Sequence, residues 1–336
     1  MDRAWPRSIL HIPVIRAVFF LPATGRGEAG MLGGKPMRSS FAIWRDRRGR
    51  LSALRIVTLG LLATPILLAV AAAFTEERFG ARPLNDLIHR AGYWALLFLM
   101  IALAVTPFTR IARFGQLMDV RRMIGVGAFA YAAAHISLYI FDQMFDLAKV
   151  ASEIVQRLYL TIGFTALVGL SALAATSTDG MVRQLGPRRW QRLHQVVYGI
   201  ALLALIHFFQ QTKADIWLPT FVAGLFAWLM GYRIVTWRMT GAGELTPWAL
   251  LGLTVVVSVL VFVAEAIGLG IAFQVSPLVV LGMAFDFDLD TIRPGWLVLG
   301  SGLCVVAVGF VRAWWRKPRS RAGKSAAPAN PAREPA

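Results

Sequence analysis

Eight stretches of the chain, at 56–74, 91–109, 123–141, 158–178, 193–212, 216–232, 245–264 and 295–311, contain no Lys, Arg, Asp or Glu. A helix rising 1.5 Å per residue needs about 20 apolar residues to cross roughly 30 Å of hydrocarbon. Each run is near that length, so the pattern predicts eight membrane-spanning helices. No fixed repeat of solenoid or propeller length is superimposed on it.

One region reads two ways. Residues 245–285 carry a single charge, Glu265, and are long enough for two crossings. A second crossing would export the basic tail Arg312, Arg316, Lys317, Arg319, Arg321 and Lys324. We therefore expect one span, with Gly268, Gly270 and Pro277 marking a re-entrant or interfacial piece. Asp286, Asp288 and Asp290 follow with calcium-like spacing but without the rest of an EF-hand loop, and read as a solvated acidic loop.

Charge fixes the expected orientation. The formal charge of +17 would suggest nucleic acid in a soluble protein, yet most basic residues fall in the short gaps between apolar runs. With the N-terminus inside, 28 of the 35 Lys and Arg lie on the cytoplasmic side, and 11 of the 18 Asp and Glu lie on the other. Retention of basic loops in the cytoplasm thus predicts a multi-pass membrane protein with both termini inside and no nucleic-acid partner; the family likeness given below implies that the membrane is the bacterial inner membrane. Residues 1–50 read as a basic, disordered cytoplasmic leader in which Met1, Met31 and Met37 are all plausible starts. His11, Pro13 and Arg16 break its one apolar stretch, so it does not read as a signal peptide. The Pro-, Ala- and Arg-rich tail, 318–336, reads as disordered.

A single cysteine, Cys304, excludes an internal disulfide framework, a four-cysteine cluster and a tetrathiolate zinc site. No C-x-x-C-H string exists to attach a c-type haem. Histidine is left as the main metal ligand. Polar side chains inside hydrocarbon are costly and therefore mark function by default, the bland alternative being a histidine bonded to a backbone carbonyl between helices. His135 lies roughly 18 Å along the third predicted helix and His207 roughly 19.5 Å along the fifth, at one depth. Two imidazoles at equal depth on separate helices suit an iron porphyrin lying between them. The small residues of GVGAFAYAAAH before His135 would leave room for it, and close helix packing explains them equally well.

His194 falls at the inner edge of the membrane and His89 at the outer edge. A straight helix would leave His194 and His207 about 140° out of phase, and Arg122 occupies the position where a partner for His194 would be expected. Arg110, Arg113, Arg121 and Arg122, then Arg183, Arg188, Arg189 and Arg192, crowd the inner loops. They read either as lipid anchors or as a cradle for haem propionates, flavin phosphate or a quinone.

Four segments carry a family likeness: PLNDLIHRAGYWALLFLMIALAVTP (83–107), DVRRMIGVGAFAYAAAHISLYI (119–140), YLTIGFTALVGLSALAATST (159–178) and LGPRRWQRLHQVVYGIALLALIHFF (185–209). Over roughly 50–240 the chain resembles the MsrQ (YedZ) family of the ferric-reductase-like transmembrane group, and RRWQRLHxxxY is the specific string. The resemblance implies an all-α six-helix haem-binding bundle at 51–240, to which residues 241–317 add two helices. It implies b-type haem, one or two, with FMN as a further candidate. Electrons would come from the quinone pool or a cytoplasmic flavin reductase and pass to a periplasmic MsrP-like molybdopterin enzyme that reduces methionine sulfoxide in oxidised proteins. Carried across, His135 and His207 correspond to haem ligands, His194 to a second site, and His89 to an outer functional residue, with Arg121, Arg122 and Arg189 as cofactor-binding candidates.

The chain is expected to carry electrons without itself reducing sulfoxide. Its closest rival reading is a ferric reductase or NADPH oxidase, yet the 129 residues after His207 are mostly apolar and leave little room for a flavin and nucleotide domain. A ferric-reductase-like cytochrome b with another acceptor is the alternative. A transporter or structural subunit fits less well, because Glu265 is the one carboxylate expected inside a span.

Overall fold

The computed structural model describes residues 50–73, 82–212, 215–240, 244–285 and 292–315. The leader with His11, the tail from residue 318, and the Asp286, Asp288 and Asp290 loop lie outside these residues. The described chain is almost wholly helical: α1 Ala53–Ala73, α2 Pro83–Ile111, α3 Met118–Asp142, α4 Leu147–Gln156, α5 Leu158–Ala175 and α6 Asp179–Leu185. Then come α7 Pro187–His194, α8 Val197–Gln211, α9 Trp217–Thr240, α10 Pro247–Phe273, α11 Pro277–Gly282 and α12 Pro294–Trp314. By length and composition eight helical stretches are fit to cross a membrane, and each overlaps one of the eight apolar runs.

The chain divides into two units. The first comprises residues up to Arg110 together with Phe114–Leu229. Here α5 packs along α8 and also touches α3 and α4, and α3 packs on α1. The small residues ahead of His135 serve both purposes read from them. Gly127 lies against Leu62, where a Cβ would come within 2.6 Å of its Cδ2, and Tyr131 donates to the Leu62 carbonyl at 2.6 Å. Ala132, one turn on, lines a cavity instead. Asp146 caps α4 by accepting from the Lys149 amide, satisfying a free N–H at the helix start.

The fifth apolar run is not one straight helix. The chain leaves α7 at His194, turns at Gln195 and Val196, and resumes as α8. A phase angle counted along an unbroken helix from His194 to His207 therefore does not apply.

The second unit holds Ile111–Arg113 and the residues from Met230 onward. Its centre is α10 against α12. A Cβ on Gly295 would meet the Phe262 ring at 2.6 Å, and one on Gly302 would collide with Thr254, so these glycines permit the backbones to approach. Gly268 and Gly270 do not interrupt α10, which continues to Phe273, because glycine is well tolerated in membrane helices. The break comes at Gln274, in the left-handed region at φ 56°, and α11 folds back with Pro277 against Gly270. Residues 245–285 thus form one long helix and a short fold-back helix. Trp296 Nε1 donates to the Ala284 carbonyl at 2.6 Å, and Arg293 reaches the buried carboxylate of Glu265 at 3.3 Å, tying this fold-back to α12.

Candidate functional site

His135 projects from α3 toward α2, where its Nδ1 stands 2.7 Å from the Ile88 carbonyl oxygen. His207 projects from α8 toward α5, with Nδ1 2.8 Å from the Tyr159 carbonyl oxygen. A carbonyl oxygen only accepts, so in each ring Nδ1 carries the proton. Nε2 therefore keeps its lone pair. The two ring centres are 6.3 Å apart and their planes cross at 79°. Both rings line one cavity of about 300 Å³ in the first unit, among helices α2, α3, α5 and α8.

The spacing of the two rings suits an iron porphyrin. Metal–nitrogen bonds of about 2 Å, with about 1.1 Å more from nitrogen to ring centre on each side, set axial imidazole centres roughly 6 Å apart. The observed spacing agrees. Among the described residues no group of three or more His, Cys, Asp and Glu side chains is placed to hold a metal ion. A pair of imidazoles suits a metal that brings its remaining ligands with it, as a porphyrin does. Ligating histidines characteristically donate their other ring nitrogen to a carbonyl, as both do here.

The family described as ferric reductase like transmembrane component matches residues 91–205, a segment that includes His135 and His194 and ends two residues short of His207. The protein-methionine-sulfoxide reductase heme-binding subunit MsrQ of Xanthomonas campestris pv. campestris (strain 8004) is 42% identical over 172 residues, covering 51% of this chain and 78% of that protein. The MsrQ of Rhodospirillum rubrum is 37% identical over 206 residues, covering 61% of this chain and 94% of that protein. The chain belongs to the MsrQ family. No solved structure matches it. It is a multi-pass membrane protein of ferric-reductase-like type, and more than a third of its length lies outside the alignment with the Rhodospirillum MsrQ.

The other sequence-identified residues of this MsrQ family member lie apart from the crossed pair, with one exception. His89, next to Ile88 on α2, is exposed and lines the same cavity. His194 closes α7 and stacks on Trp190, ring centres 3.9 Å apart. Its Nδ1 is 3.1 Å from the Trp190 carbonyl and its Nε2 is 3.3 Å from Ser177 Oγ, so both nitrogens have protein neighbours. Arg121 and Arg122 lie in the first turns of α3, where Arg122 pairs with Asp179, and Arg189 is exposed on α7. Neither His194 nor any of these three arginines lines the histidine cavity.

Sequence reasoning missed a group at the end of the cavity marked by Asp142 and Gln211. Tyr139 and Tyr159 line the cavity. The Tyr139 hydroxyl donates to Glu153 on α4, Arg157 lies 3.7 Å from the same carboxylate, and Arg157 also donates to the Tyr159 hydroxyl at 3.2 Å. The signal was present as the amphipathic stretch LAKVASEIVQ, too short to register as a span.

Proposed function

We propose that this chain is the haem-bearing, electron-carrying membrane subunit of a protein-methionine-sulfoxide reductase system, in which His135 and His207 would hold the iron of one low-spin b-type haem. The observation that carries this reading is the pair of imidazoles at 6.3 Å, each anchored through Nδ1 with Nε2 available. Bound there, the iron supplies a one-electron carrier. The chain's own contribution is to fix both ligands, to wall the cavity with apolar helix faces, and to line one end with Tyr139 and Tyr159, whose hydroxyls are held by Glu153 and Arg157.

The charge distribution supports the orientation, and the likeness to the MsrQ family supplies the direction of flow. With both termini cytoplasmic in a bacterial inner membrane, electrons enter from a quinol or a flavin reductase on the inner face. They leave toward a periplasmic MsrP-like molybdopterin enzyme. His194, with Arg121, Arg122 and Arg189 near the inner loops, is the proposed second cofactor region, for another haem or for FMN; His89 sits at the outer rim of the main site. Residues 51–240 are the haem-binding portion and 241–317 an added membrane portion.

An absorption spectrum of the purified, haem-replete chain before and after dithionite reduction tests the central claim. Sharp low-spin haem bands are expected, and a protein that takes up no haem returns the transporter class to favour. Dithionite-reduced chain alone should not reduce methionine sulfoxide; turnover without a second subunit would defeat the electron-carrier reading. Reporter fusions after residues 80, 148 and 288 are expected outside and those after 115, 187 and 325 inside. An exported C-terminal tail would overturn that orientation.

A further inference from the structure

Gly92 and Gly163 hold equivalent places in two separate helix pairs. On α2, Ile88 offers its carbonyl to His135, and Gly92 follows four residues later. On α5, Tyr159 offers its carbonyl to His207, and Gly163 follows four residues later. In a helix each Cβ tilts toward the N-terminus, so the side chain at position i+4 stands beside the carbonyl of residue i. A side chain at position i+4 therefore crowds an imidazole that shares that carbonyl.

The distances support this. A Cβ on Gly92 would lie 3.0 Å from His135 Nδ1 and 3.2 Å from its Cε1. A Cβ on Gly163 would lie 2.7 Å from His207 Nδ1 and 2.8 Å from its Cε1. Neither glycine is at positive φ, so backbone conformation does not call for it. What each glycine contributes is the space its missing Cβ leaves to the ring. Gly199, on α8 with His207, differs: nothing lies within 4 Å of where its Cβ would stand.

We propose that Gly92 and Gly163 are positioning residues of the histidine site, each admitting one imidazole to a helix carbonyl and thereby fixing both Nδ1 donors and the crossed ring planes. The proposal rests on the reading of His135 and His207 as haem ligands. Two properties follow. A ligand whose Nδ1–H is bonded to a carbonyl is the stronger donor through Nε2, which favours ferric over ferrous iron and lowers the midpoint potential. Imidazole planes crossed near 79° give ferric haem the broad, highly anisotropic low-spin resonance of perpendicular axial ligands, distinct from that of parallel ones.

The test uses the full-length, haem-loaded chain in detergent, with electron paramagnetic resonance of the ferric form and a redox titration. The unsubstituted protein should show the highly anisotropic signal. Gly92→Ala and Gly163→Ala should each raise the midpoint potential and alter that signal, whereas Gly199→Ala should leave both unchanged. A parallel-plane signal in the unsubstituted protein, or unchanged potentials in loaded Gly92→Ala and Gly163→Ala, would overturn the proposal. If one variant does not fold, the other tests the second copy of the same device, and the resonance of the unsubstituted protein needs no variant. Failure of the underlying ligand assignment has a separate signature: full low-spin haem retained in folded His135→Ala or His207→Ala protein.

Discussion

Two buried polar groups and two glycines of the first unit are used differently from their counterparts in the second. In the second, Glu265 is 4% exposed and its carboxylate is answered by Arg293, while Gly295 and Gly302 let helices close on Phe262 and Thr254. In the first, His135 and His207 are each answered on one nitrogen only, and Gly92 and Gly163 make room for those rings beside a cavity. A buried polar group answered within the fold is explained by folding. One left with a spare lone pair facing a cavity asks for a ligand.

Substitutions in both units press on that contrast. The largest effect is expected from His135→Ala or His207→Ala, either of which should abolish the low-spin haem spectrum of the main site in folded protein. His194→Ala should remove at most a second spectral component. Next comes Arg293→Ala, which strands the buried Glu265 carboxylate. Removal of one member of a buried pair costs about 3–5 kcal/mol, measurable as lowered unfolding stability, with the haem spectrum of surviving folded protein unchanged. Replacing both partners by leucine should recover much of that loss. A haem spectrum altered by Arg293→Ala would blur the distinction between the units.

The smallest effect concerns one helix. On α12, Gly302→Ala drives a methyl into Thr254, while the position of Gly300 is open to at least 4 Å. Overpacking of this kind costs about 1–3 kcal/mol, so Gly302→Ala should lower the unfolding temperature and Gly300→Ala should not. Equal behaviour of the two variants would remove close packing as the role of glycine in the second unit.

The spans were legible because hydrocarbon imposes a length and a composition on any helix that crosses it. Helix ends were less so. α2 begins at Pro83, well before the apolar run at 91, because Asp86, His89 and Arg90 belong to the helix but not to its apolar part. α10 outruns its expected end by nine residues, since Gly268 and Gly270 break helices in water more readily than in lipid. Equal depth brought His135 and His207 together correctly even though both helices start elsewhere than assumed. The glycines escaped notice for a different reason. Depth is counted along one helix, whereas the fit of Gly92 to His135 depends on how two helices are rotated about their axes, and no hydropathy pattern records that.

The holding of both Nδ1 atoms by main-chain oxygen has an evolutionary consequence. Side-chain replacement at Ile88 or Tyr159 leaves the carbonyl in place, so the anchor of each imidazole tolerates sequence drift at the very residue that supplies it. Sensitivity is displaced by one helical turn, onto positions whose only contribution is an absent methyl group. The aim of the rings is thereby set apart from residues such as Leu99, Ala132 and Phe164, which line the rest of the cavity.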